Sequence, residues 1–492
     1  MKTKKILSLL LAAALLLPVT GCGESEVNSD APTPAENSAV QEPAAEEAAP
    51  DEDARPMHQV PDSLDFDGGS FNVVYPDWQG YKYYFFADES TGDAMNDAIF
   101  DRKVTVEDYL NVSLTQYTPG YIEAIAPAVK QSVTSADDSY QLALTHCIQD
   151  VANLATGGYL YNYDKLPYVD YLAPWWNREM MDVLRLGQNT YYGVSDYMIP
   201  CPYAIFFNKG MIADFQLDNP YELVYNGEWT VDKFMELATA ATQDTNGDGK
   251  FTKDDYRGVG VEEVSKWISF MTGSGQFMTD RDEEGHIRLA LNTDKMQTLV
   301  EKFAAFASQT GVIVSPDNSM SVADGTLLFE LHTIAHAVEY RDTEVDIGIL
   351  PYPKFDTEQE NYISLDWGGL MGVPTSIANP ELVGAVLELL AYESGNEVIP
   401  TYYDVLLDGK LARDTDTVAM IDILFDTICY EVGGNYFGFD GGFGDFFYTI
   451  ARLAVTNKST DLASWIKTRE KPVSKVIERF YKTLDETESA GE

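Results

Sequence analysis

The residues whose types and spacing could do chemistry fall into three groups. The most regular is Asp244-Thr245-Asn246-Gly247-Asp248-Gly249-Lys250, closing at Asp255. It sets oxygen donors at positions 1, 3, 5, 7 and 12 of a loop spanning residues 244–255, with glycine at position 6, the pattern that wraps calcium. Asp244, Asn246 and Asp248 would offer side chains, Lys250 its carbonyl, and Asp255 a shorter closing carboxylate than the usual glutamate. The alternative is a solvated Asp/Asn/Gly turn. Tyr256 to Val261 reads as a strand, so a bound Ca2+ would be a structural staple and not half of a paired switch.

The second group is aromatic and polar residues placed after strands, where open α/β sheets bind ligands. They are Asp77 and Trp78 after the first strand, His146 after the third, Tyr203 at a chain crossing, Trp267 on a helical stretch, His332 after a strand from Gly325, and Trp367 at the return crossing. An aromatic face packs against the C–H side of a sugar ring, while carboxylates and imidazoles bond its hydroxyls. Against this stands the commoner fate of a Trp or Tyr, which is core packing. Trp175 and Trp176 behind Pro174 read that way.

The third group argues by what it lacks. His332 and His336 lie four residues apart without the adjacent glutamate of a zinc protease, so a satisfied or solvated pair is the plainer reading. There is no G-x-S-x-G elbow, phosphate loop, dinucleotide fingerprint or paired C-x-x-C zinc spacing. With 79 acids, a glycosidase-like carboxylate pair has no diagnostic force. Cys147 and Cys201 could be neighbours and a bridge between them is possible, but free buried thiols are expected.

These residues need elements to position them. From Ser70 onward, short apolar strands alternate with amphipathic helices, which predicts a mainly parallel α/β layering. Strands are expected at Ser70–Tyr75, Val112–Tyr117, Gln141–Thr145, Tyr203–Phe207, Thr326–Phe329 and Val345–Leu350. Helices are expected from Thr91 to Leu110, from about Thr230, over Met296 to Phe306, and after Pro380. Ahead of this body, Lys2, Lys4 and Lys5 precede an apolar run from Ile6 to Leu17, an export signal over residues 1–22 and too short to span a bilayer. Residues 23–60, rich in Ala, Pro and Glu, cannot bury enough surface to fold and read as an acidic tether.

The chain of 492 residues has a formal net charge of −46. The signal contributes +3, the tether −9 and the remainder −40. Such a body repels polyanions, so nucleic acid is excluded as a partner and an anionic membrane surface is disfavoured.

Several strings then carry a resemblance. Val19-Thr20-Gly21-Cys22 resembles a lipobox, in which the cysteine is acylated and becomes the mature N-terminus. Thr91-Gly92-Asp93, Gly157-Gly158-Tyr159-Leu160, Pro174-Trp175-Trp176, Phe206-Phe207-Asn208-Lys209, Glu228-Trp229-Thr230 and Val373-Pro374-Thr375-Ser376 follow in order. Together they resemble the extracellular solute-binding lipoproteins of carbohydrate ABC importers, the class that includes maltose-binding protein. The resemblance implies a two-lobe periplasmic-binding-protein-like α/β fold with hinge crossings and a ligand cleft. It places lobe 1 at 61–200 and 367–408, and lobe 2 at 201–366 and 409–485, with crossings near Met198 to Tyr203 and near Trp367. It implies a non-enzymatic monomer that gives a sugar or oligosaccharide to the membrane subunits of an ABC permease and touches the membrane through lipid on Cys22 alone. A peptide or other polar-solute binder stays open, as does an envelope-attached glycan hydrolase. Radioactive palmitate fed to expressing cells should label the wild type and not Cys22→Ala; equal absence of label from both rejects the anchor.

Overall fold

A computed structural model describes residues 56–78, 82–146, 151–261, 264–290, 293–314, 320–340, 343–366, 368–406, 414–437 and 449–491. The signal, Cys22, most of the tether, Cys147 and Trp367 lie outside them. The described strands are β1 (Gly69–Val74), β2 (Val112–Tyr117), β3 (Leu142–His146), β4 (Tyr192–Gly193), β5 (Tyr203–Asn208), β6 (Arg257–Val261), β7 (Thr279–Arg281), β8 (Ile287–Leu289), β9 (Leu327–Thr333), β10 (Ile347–Leu350), β11 (Ser364–Leu365), β12 (Gly369–Gly372) and β13 (Ile428–Cys429). The helices that matter for the site are α1 (Ala94–Leu110), α2 (Ile125–Ser135), α3 (Val151–Thr156), α4 (Val231–Ala240), α5 (Asp294–Ala307), α6 (Pro380–Glu393) and α7 (Leu462–Gly491).

Two main sheets form, one in each lobe. The first has the order β2-β1-β3-β12-β4 and the second β10-β5-β9-β6. The sheets are mixed, which corrects the expectation of mainly parallel layering. β1 runs parallel to β2 and β3, but β12 runs antiparallel to both β3 and β4. In the second sheet β6 and β9 are parallel, while β5 is antiparallel to β9 and β10. The reason is topological: β12 re-enters the first sheet from the other lobe and so arrives with reversed direction.

Local chemistry sets the element ends. Asp93 caps α1, its carboxylate accepting from the Asn96 N–H at 3.0 Å. Thr230 caps α4, and Asn379 with Pro380 at the first turn starts α6. β3 and most of β5 and β9 are buried on both faces, the condition of a sheet covered on each side by helices.

Two expected boundaries move. Packing begins within the segment assigned to the tether: Val60 is buried, and His58 sets its ring edge-on to Tyr109 and Tyr392 at 5.2 and 4.9 Å. The end of the chain, assigned to lobe 2, packs on both lobes: the Tyr481 hydroxyl accepts from the Ile287 N–H in β8, and its ring lies 4.2 Å from that of His286. Val476, Phe480 and Leu484 form a buried seam at helical spacing, and the Thr487 hydroxyl donates to the Thr156 carbonyl in α3.

The lobe 1 core is pinned by a buried carboxylate. Glu388 on α6 is fully enclosed and accepts from the indole N–H groups of Trp175 at 2.9 Å and Trp176 at 2.7 Å, and from the Asp170 backbone N–H at 3.2 Å. Burial pushes its pKa up despite these donors. Glu388→Ala would strand two buried indole donors. It should lower stability in urea unfolding by about 3 kcal/mol, and Glu388→Gln by about 1 kcal/mol; an alanine variant matching the wild type would refute the assignment.

Candidate ligand site at the lobe crossings

The backbone passes between the sheets before β5 and again between β11 and β12, and the expected lobe boundary at 408/409 lies outside the described residues. The sequence led us to expect both crossings. Not expected is that β11 and β13 form a short parallel pair between residues far apart in the chain, Ser364 with Ile428 and Leu365 with Cys429. Asp366 ties the segment before β5 to this pair. Its carboxylate accepts from the Cys201 N–H at 3.3 Å and the Tyr430 hydroxyl at 3.2 Å, and its own N–H donates to the Cys429 carbonyl at 3.0 Å. Asp366 is 1% exposed.

Around this knot stand tyrosines that link lobe 1 to the first crossing. The Tyr84 hydroxyl donates to the Ile199 carbonyl, and the Tyr197 hydroxyl donates to the Tyr84 carbonyl, each at 2.7 Å. Tyr402 is buried with its ring edge towards Tyr83 at 5.8 Å. Cys201 and Cys429 are free thiols. Burial and the nearby carboxylates push them up to about 11 and about 12, so neither is a nucleophile near neutral pH.

The structure brings some of the expected ligand residues together. Trp78 and His146, from the ends of β1 and β3, touch with ring centroids 5.0 Å apart. Trp78 is 37% exposed and Asp77 beside it is exposed, so an aromatic face and a carboxylate are open to solvent at the strand ends. Across the crossing, Tyr203 and His332 occupy neighbouring strands, in register Tyr203 with Thr333 and Ala204 with His332. Both are half-buried. His332 stacks on His336 at 3.7 Å, and His336 faces Glu339 at 3.2 Å and Glu330 at 3.9 Å.

Trp267 does not join them. It is 1% exposed and packs among Phe270, Phe303 and Phe306, with centroids 5.1, 5.5 and 6.4 Å away. The indole is a lobe 2 core residue, because α5 and the 268–273 helix cover both its faces. Trp367 lies outside the described residues. The functional residues missed from the sequence are Asp366 and Tyr430. Asp366 stands beside the expected Trp367 crossing, and that adjacency was the available signal.

The 244–255 loop is closed by its own hydrogen bonds. Asp244 accepts from the Gly247 and Gly249 N–H groups, each at 2.7 Å. Asn246 and Asp248 each accept from the N–H two residues on. Asp255 is fully enclosed and accepts from the N–H groups of Thr252 and Thr245, which hold its carboxyl down to about 2. Gly247 and Gly249 have φ of 74° and 77°, which L side chains rarely adopt. The donor types suit calcium, but Asp255 turns to Thr245 and Thr252. Among the described residues no three His, Cys, Asp or Glu side chains are placed to hold a metal.

No family model and no curated protein matches the chain. Solved structures do. The lacto-N-biose-binding protein of an ABC transporter from Bifidobacterium longum is 12% identical with a TM-score of 0.58, over 84% of this chain and 98% of that one. A sugar transporter protein from Rhizobium etli in an open conformation is 12% identical with a TM-score of 0.56, over 82% and 99%. An ABC substrate-binding protein from Listeria monocytogenes in complex with cycloalternan is 12% identical with a TM-score of 0.54, over 85% and 100%. The likeness shows the fold: two α/β lobes of the binding-protein type. Among the described residues no helix is long and apolar enough to cross a membrane.

The site has one titration of its own. Burial lowers the His146 pKa from 6.5 to about 4. As pH falls through 6.5 the unfolded chain takes up a proton that the folded chain refuses until about 4, so stability drops across that window by at most about 1.4 kcal/mol per pH unit. His146→Gln should flatten the slope between pH 6.5 and 4 in urea titrations relative to wild type. An unchanged slope would place the imidazole in water.

Proposed function

We propose that this chain is the extracytoplasmic solute-binding component of an ABC transporter, and that it holds a sugar or oligosaccharide between its lobes. The observation that carries the reading is the combination of fold and site: two sheets joined by crossing segments, with the exposed Trp78 and Asp77 and the adjoining His146 on one side and Tyr203 and His332 on the other. Its support from other proteins is that two structural neighbours are described in complex with lacto-N-biose and with cycloalternan. Closing about the crossings would trap the ligand and give the permease a shape that the empty protein lacks. On this reading the protein binds without catalysis and works as a monomer. It is held to the membrane by lipid on Cys22 and meets the transmembrane subunits of its permease.

Calcium belongs to the same proposal as a structural ion at Asp244, Asn246, Asp248, Lys250 and Asp255. It is supported by donor type and spacing alone. The Asp255 carboxylate would have to turn from Thr245 or Thr252 to complete the set.

One screen tests both parts. Mono- and oligosaccharides at about a hundredfold excess over Kd should add about 2.7 kcal/mol of stability without being cleaved. Trp78→Ala and Tyr203→Ala should each weaken that binding about tenfold or more. Millimolar calcium should raise the melting temperature of the wild type but not of Asp244→Ala. Released product overturns the binding reading, and no response to any sugar overturns the ligand class. A flat calcium titration removes the ion.

A further inference from the structure

α7 bears the densest positive charge on an acidic body. From Lys467 to Lys482 it carries six bases against Glu470 and Glu478, +4 within a chain of net −46. Lys467, Lys471, Lys475 and Arg479 recur every four residues, and Lys482 follows three later, so they share one exposed face opposite the Val476, Phe480 and Leu484 seam.

Where α7 lies on α2 and α3, the packing leaves a cavity of about 530 Å³. Lys130 enters it from α2 and Arg479 from α7, with Asn153, Tyr159 and Thr483 among the walls and no carboxylate lining it. Lys130 lies over the Tyr159 ring at 5.8 Å. A second, open hollow along α7 shares Val476 and Arg479 and adds Lys475, Glu478 and Lys482, whose ammonium pairs with Glu486 at 3.5 Å. Arg479 thus stands between two hollows, with Lys130 in one and Lys475 in the other.

We propose that this paired hollow binds phosphate groups. A guanidinium fork matches phosphate oxygens two at a time, ammonium groups neutralise the remaining charge, and amide and hydroxyl donors stand beside them. The net charge of the body does not oppose this at short range, because in physiological salt charges beyond about 8 Å are screened. The stripe therefore sets the local field. The phosphate could come from an anionic lipid headgroup or from a soluble phosphate compound, and this site is independent of the sugar reading.

The test uses the full chain, with Arg479→Ala, Arg479→Lys and the Lys130→Ala/Arg479→Ala double variant, all keeping the same N-terminal segment. Inorganic phosphate is titrated by calorimetry in chloride buffer of physiological ionic strength, and vesicles of phosphatidylglycerol or of phosphatidylcholine are sedimented with the protein at physiological and at high salt. Binding to either anionic probe should weaken about tenfold in Arg479→Ala, recover in part in Arg479→Lys, and vanish in the double variant and in high salt. A loss seen with phosphatidylglycerol alone assigns the site to lipid headgroups, and a loss with inorganic phosphate assigns it to soluble phosphate. Equal binding by wild type and double variant, or no binding of either probe by the wild type, overturns the proposal. Retained circular dichroism in the exposed-residue variants separates lost binding from lost folding.

Discussion

A single buried carboxylate, Asp366, holds together the backbone segments that pass between the two sheets. It accepts from the first crossing through Cys201 and from the end of β13 through Tyr430, while its own backbone donates to Cys429. Buried hydrogen bonds to a charge are strong because water does not compete for them. Two short strands, β11 and β13, meet it in fixed register, and the segment before β5 is bonded to the same carboxylate. The aromatic and polar residues beside the crossings inherit their positions from it.

A few of the acids also have an internal use. Glu388 takes the two indole donors of lobe 1. In lobe 2, Glu330 accepts from the Val322 N–H and from the Ser321 and Tyr340 hydroxyls. Glu431 accepts from the N–H groups of Thr279 and Gly434. A buried acid is tolerated only when its oxygens are supplied with donors, and each of these has at least three neighbours or two backbone groups doing so. The rest of the acids leave the surface strongly negative, and a local basic stripe such as that on α7 stands out against it.

Strand and helix positions were legible because they depend on local periodicity and caps. β2 falls on Val112–Tyr117 as expected, and β5 extends the expected strand by one residue. The rule that ligands sit beyond strand ends brought Trp78 and His146 together, since both follow strands of the same sheet. Trp267 defeated the same reasoning: an indole on a short helix gives no local sign of whether its neighbours will be sugar or the phenylalanines of α5. Asp366 and Tyr430 were illegible for a different reason. Their meaning lies in a pairing between β11 and β13 across more than sixty intervening residues, and no window of the sequence contains both.

The strand order of lobe 1 has a further consequence for how the protein is made. β12 is not an edge strand; it lies between β3 and β4, both of which are synthesised long before it. Until residue 372 is available the sheet has a gap in its middle, and α3 waits longer still for the apolar seam of α7. Contacts this distant in sequence form late, because a long loop must close before they yield anything. The first lobe of this chain is thus unfinished for most of its synthesis, a property that would suit a polypeptide that has to thread a translocation pore before it folds.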